Sequence, residues 1–112
     1  MNHFLNWKEH AGSQAEKFYK TTLWQAEQML VGLNCLEPDQ RQEPHAHQGA
    51  DKFYFVLEGR GSFIVGDEER EADEGSLVFA PAGVSHGVAN NSTTRLSLLV
   101  TIAPPPNQKP DR

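Results

Sequence analysis

The sequence has a single cysteine and no apolar run approaching the roughly twenty residues needed to cross a bilayer. With only Cys35, no internal disulfide forms, so burial must stabilise the fold, as suits a reducing compartment. Cys35 lies in the apolar run Met29–Leu36 with no histidine or basic residue beside it, the setting of a buried structural thiol and not of a nucleophile. Basic residues are not clustered, and the net charge is −5. That balance argues against nucleic-acid binding, which needs a cationic surface to displace counterions from phosphate. The segment Met1–His10 mixes polar and aromatic residues and lacks the apolar core of a secretory signal, so a cytoplasmic location with no membrane partner is expected. There is no internal repeat, and helical periodicity is nearly absent. Only Gln14–Phe18 has any helical flavour, and the Thr21-Thr22 pair that follows argues against a long helix.

What is present is a succession of short apolar runs between turn signals, the pattern of a sandwich or barrel. Strands are predicted over Lys17–Leu23, Gln28–Leu36, Gln42–His47, Lys52–Leu57, Ser62–Val65, Glu69–Ala72, Leu77–Ala80, Ser85–Ala89 and Thr94–Ile102. Glycines and carboxylates at Glu58–Gly61, Gly66–Glu68 and Asp73–Gly75 supply the turns. In the last run Leu96, Leu98, Val100 and Ile102 fall on one face and Arg95, Ser97 and Thr101 on the other, as in a half-buried antiparallel strand. A chain of 112 residues suits one hydrophobic core. The expected organisation is an N-terminal arm over 1–16, one all-β barrel over 17–102 and a disordered, proline-rich tail over 103–112. The acidic run Asp67–Glu74 reads as the exposed end of a hairpin, and His3 and His10 as solvated side chains. Phe63, Phe79 and Trp24 are expected in the core.

The chemistry concentrates in three histidines. His45 and His47 are two residues apart in a predicted strand, so both imidazoles point to one face. His86 follows Pro81–Ser85, a turn able to aim it inward. Neutral imidazole is the commonest ligand of divalent transition ions, and three leave coordination positions open for water or substrate. By the same parity Glu43 faces the pocket as a further ligand, a general base or the partner of Lys52, while Tyr54 and Val56 share the parity of Lys52.

Around these histidines the sequence resembles the cupin superfamily. Gly75, Pro81, Gly83, His86 and Asn90 reproduce the spacing of its second motif, a set of matches expected by chance in fewer than about one window in a million. The first motif is matched from His45 through His47 to Gly59, with two departures: Asp39 stands where the pattern begins with glycine, and Lys52 where a glutamate ligand usually stands. The resemblance spans about Leu36–Asn90. It implies an antiparallel double-stranded β-helix, or jelly roll, as a small single-domain protein. It also implies that His45, His47 and His86 hold a divalent metal such as iron, manganese, nickel or zinc, with Asp51 as a late substitute for the missing acid.

Two functions follow from the resemblance. One is a metal-dependent enzyme acting on a small molecule, of oxygenase (a dioxygenase included), isomerase or lyase class, with Glu43, Lys52 and Tyr54 as candidate catalytic residues. The other is a non-catalytic protein that binds a small ligand or only the metal. A homodimer is expected, because Phe4, Leu5 and Trp7 precede the barrel and need a surface to bury them.

Overall fold

The computed structural model describes residues 2–106. Nine strands form in the expected order: β1 (Tyr19–Gln25), β2 (Leu30–Leu36), β3 (Arg41–His45), β4 (Asp51–Glu58), β5 (Arg60–Val65), β6 (Glu68–Asp73), β7 (Leu77–Ala80), β8 (His86–Ala89) and β9 (Leu96–Ala103). Among the described residues the one helical element is a single 3₁₀ turn, Trp7–Glu9, where the Asn6 side chain accepts from the Lys8 amide. No helix is long and apolar enough to cross a membrane.

The strands pair antiparallel in two sheets, ordered β1-β2-β9-β4-β7 and β3-β8-β5-β6. This is the jelly-roll architecture that the turn spacing and the resemblance imply. Alternation decides which side chains fill it. Along β9, Leu96, Leu98, Val100 and Ile102 are fully buried, and along β4 Tyr54 and Val56 face them. Leu36, Phe63 and Val88 close the same core. The edge strand β6 carries charge at every position but Ala72, which discourages pairing with another chain.

Cys35 is fully buried, as expected of a structural thiol, and Ser97 Oγ lies 3.6 Å from its sulfur. The fate of the three expected core aromatics differs. Phe63 is in the core, but Phe79 is 63% exposed and Trp24 41% exposed. Phe79 pairs across the sheet with Phe53, on the outward parity of β4, so an apolar identity there reports a second face and not the core.

The arm docks through the Tyr19 hydroxyl, which donates to the His10 carbonyl at 3.0 Å. At the other end, Ala103 was expected to open a disordered tail; instead it ends β9, paired with Asp51. Most of that tail, 107–112, lies outside the described residues.

Candidate metal centre

The site is built where β3, the loop after it and β8 meet. β3 is the edge of its sheet, which is why Pro44, lacking an amide hydrogen, is tolerated within it. The β3–β8 register runs Arg41 with Ala89, Gln42 with Val88, then jumps to His45 with His86. That bulge inserts a residue and reverses the side-chain parity upstream of it. Gln42, not Glu43, therefore turns inward.

Glu43 is thus displaced from its expected place beside the pocket. Its side chain is 75% exposed and pairs with Arg41 at 3.1 Å on the surface. It is neither a ligand nor the partner of Lys52. Gln42 takes the interior position, where its Oε1 accepts from the Tyr54 hydroxyl at 2.7 Å. The proline in an otherwise strand-like run was the sequence signal for this bulge.

His45 ends β3, and His47 lies beyond it in the following loop, so strand alternation does not place the pair as expected. The loop does so instead, with the His47 carbonyl accepting from the Gly83 amide at 2.9 Å. Ring centroids stand 4.5 Å apart for His45 and His86, 4.9 Å for His45 and His47, and 5.6 Å for His47 and His86. One ligating nitrogen from each of the three lies within 4.8 Å of the others.

The tautomers are set by the backbone. Nδ1 of His45 is 3.0 Å from the Glu43 carbonyl, and Nδ1 of His86 is 3.0 Å from the Val84 carbonyl. A carbonyl only accepts, so each Nδ1 carries the hydrogen and each Nε2 presents its lone pair. Nε2 of both residues is buried with no hydrogen-bond partner, and Nε2 of His47 is buried beside them. Burial holds the His86 imidazole down from 6.5 to about 4; the Val84 carbonyl opposes that shift, and the charges of Lys52, His45 and His47 add to it. Lone pairs aimed at one point, on imidazoles kept neutral, are what a divalent transition ion requires.

Asp51 does not join this group. Its Oδ1 accepts from the Ala82 amide at 2.9 Å, which ties the start of β4 to the turn that carries His86. Lys52 has the inward parity expected: it is 3% exposed, with Nζ 4.6 Å from the centre of the Tyr54 ring. Tyr54 is fully buried, packs its ring near Phe63 and His86, and forms the floor of the site with its hydroxyl engaged by Gln42. Burial pushes that phenol well above its ordinary value, so it stays protonated.

Gly87 had no sequence-level reading, and Asn90 entered only as a motif match. Gly87 is buried beneath the bulge, and a Cβ there would meet the Gln42 carbonyl oxygen at 2.9 Å and the Pro44 nitrogen at 3.0 Å. Asn90 is fully buried outside the site, donating to the carbonyls of Leu36 and Thr94 and accepting from Ser92. It closes the β8–β9 turn.

The family profile described as "Cupin domain" matches residues 32–102. An uncharacterized protein of Streptomyces coelicolor is 40% identical over 79 residues, covering 69% of this chain and 71% of that protein. The oxalate-binding protein of Thermotoga maritima is 31% identical over 58 residues, covering 52% of this chain and 48% of that protein. The chain spans about half the length of several curated relatives it matches. Among solved structures, a Thermus thermophilus protein superposes with a TM-score of 0.90 at 42% identity, covering 94% of this chain and all of that one.

Proposed function

The chain belongs to the cupin family, and from that premise we propose that it is a small metal-binding cupin whose His45, His47 and His86 hold one divalent transition ion. The observation that carries this reading is the pair of buried Nε2 atoms on His45 and His86, without hydrogen-bond partners, converging with His47 within 4.8 Å. Orphaned buried nitrogens cost about 1–3 kcal/mol each unless something ligates them. Three imidazoles leave coordination positions open, and an ion held there supplies a Lewis acid for a bound oxygen ligand.

The proposed activity is metal-dependent chemistry on a small molecule, of oxygenase, isomerase or lyase class. The core beneath the histidines is filled by Tyr54, Val56 and Phe63, so the ligand is small and approaches from the mouth, where His45 and His47 are only half buried. Lys52 is the proposed ligand contact. The name of the Thermotoga relative favours the second reading, a non-catalytic binding protein in which the same site holds a small acid. A cytoplasmic location is proposed for either role, in keeping with the lone buried Cys35.

We infer also that two copies pair through the outer face of the five-stranded sheet. Leu5, Trp7, Trp24, Val31 and Leu99 line a groove of about 500 Å³ there, and Phe4 beside it is 84% exposed. A two-fold pairing sets such a patch against itself, so one mutation acts on both sides.

The metal reading is tested by elemental analysis of protein purified without a polyhistidine tag, before and after incubation with iron, manganese, nickel and zinc salts. About one equivalent of a divalent ion is expected. No stoichiometric uptake of any of them would overturn it.

A further inference from the structure

We propose that Lys52 makes this metal centre selective for a small carboxylate, with the ammonium holding one end of an anion whose other end occupies the open face of the histidine triad. This deepens the three-histidine reading and rests on it. The starting observation is placement: Lys52 lies on β4 with inward parity, 3% exposed, paired in register with Ala80 and Ile102. Lysine is rarely buried to this degree, since removing an ammonium from water is costly. Its charge reaches the triad, because it helps to hold the neighbouring His86 neutral.

The charge balance then points to the ligand. Three neutral imidazoles bring no negative charge to a divalent ion, and Lys52 adds a further positive one. Two acids close in sequence turn elsewhere, Glu43 to Arg41 at the surface and Asp51 to the Ala82 amide. At an effective dielectric near 20, unit charges about 4 Å apart interact by about 4 kcal/mol, so each positive group beside the pocket favours an anion over an isosteric neutral molecule. The chemistry that meets both a metal's open positions and an ammonium is a carboxylate.

Size follows from packing. With Tyr54 closing the floor and its hydroxyl held by Gln42, no deep chamber lies behind the triad for a long acyl chain. A mono- or dicarboxylate of a few carbons fits this description.

The test uses the protein charged with Co(II), whose visible spectrum reports on its own ligands, titrated with oxalate and with the neutral diamide oxamide. Parent, Lys52→Met and Lys52→Gln are compared, the second variant serving where the first does not fold. Oxalate is expected to bind the parent at least tenfold more tightly than either neutral variant, with cobalt retained, while oxamide distinguishes them by less than twofold. Equal oxalate affinity in parent and variants overturns the role of Lys52 and leaves the metal site standing. Oxalate that strips cobalt from the parent instead of joining it counts the same way. Failure of the parent to take up Co(II) would overturn the three-histidine reading, and this inference with it.

Discussion

His45 and His86 are register partners across β3 and β8, with ring centroids 4.5 Å apart, and they face each other only because the β3 bulge shifts the pairing between Gln42 and His45. Gly87 makes that approach possible, since the atoms its missing Cβ would strike are backbone and cannot rotate aside. Gly87→Ala should therefore push β3 away and cost about 1–3 kcal/mol of stability. Metal affinity should fall at least tenfold alongside. Paired urea melts and metal titrations check both effects; an unchanged affinity would mean that the site tolerates movement of β3.

His86→Ala, or His45→Ala combined with His47→Ala, should lower metal content while leaving the barrel folded. The histidines touch the core at its rim, and the Leu96–Ile102 face does not depend on them. Metal analysis beside far-ultraviolet circular dichroism separates the two effects. Variants that retain the metal content of the parent would show that the ion sits elsewhere.

In metal-free protein the depressed His86 gives a stability that depends on pH. Its folded value of about 4 lies below the ordinary 6.5 of an unfolded chain, so between these values the unfolded state binds more protons. Stability is then full above about 6.5 and is lost as pH falls. Each pH step of one between those two values removes about 1.36 kcal/mol, so this one group accounts for a loss of about 2 kcal/mol by pH 5. Urea melts at pH 7 and pH 5 in the presence of chelator should show that loss in the parent and not in His86→Gln. A parent and variant with the same pH slope would contradict it.

Pairing through the outer sheet face predicts twice the chain mass in light scattering at micromolar concentration. Trp24→Glu, at a 41% exposed position lining the groove, should return the monomer without altering metal content. A monomer mass for the parent would exclude this interface.

Much of this molecule could be read from alternation alone. Leu96, Leu98, Val100 and Ile102 occupy the core as their spacing requires, and all nine strands lie where the apolar runs and turn residues put them. The expectations that failed at the site share one cause, an assumption of uninterrupted period two. A single inserted residue beside Pro44 exchanged the places of Gln42 and Glu43, and ended the strand before His47. Trp24 and Phe79 failed differently, since hydrophobicity does not say which of two apolar faces a strand residue joins. Asp39 illustrates the reverse case. It stands where the cupin pattern has glycine, and its φ of +73° shows the conformation that glycine would serve, one that aspartate adopts more readily than most residues.

Lys52 is where the sequence departs most from the cupin pattern. Its buried, inward position is the one from which a glutamate would reach the ion, so Lys52→Glu replaces a repelling charge with a ligand. At about 4 Å and an effective dielectric near 20, one unit charge interacts with another by about 4 kcal/mol, and reversing its sign beside a divalent ion changes that interaction more than removing it does. Desolvation of the new carboxylate offsets part of this gain, because a buried acid resists ionisation until the ion is bound. Metal affinity should therefore rise at least tenfold, and the apoprotein should be less stable than the parent. The same substitution should weaken oxalate binding to the Co(II) form, since the fourth position fills and the ammonium is gone. Glu43→Gln should change neither property, because that carboxylate pairs with Arg41 in solvent. Metal titration of the three apoproteins decides the matter: a Lys52→Glu variant that binds metal no better than the parent would mean that the β4 side chain at this position does not reach the ion.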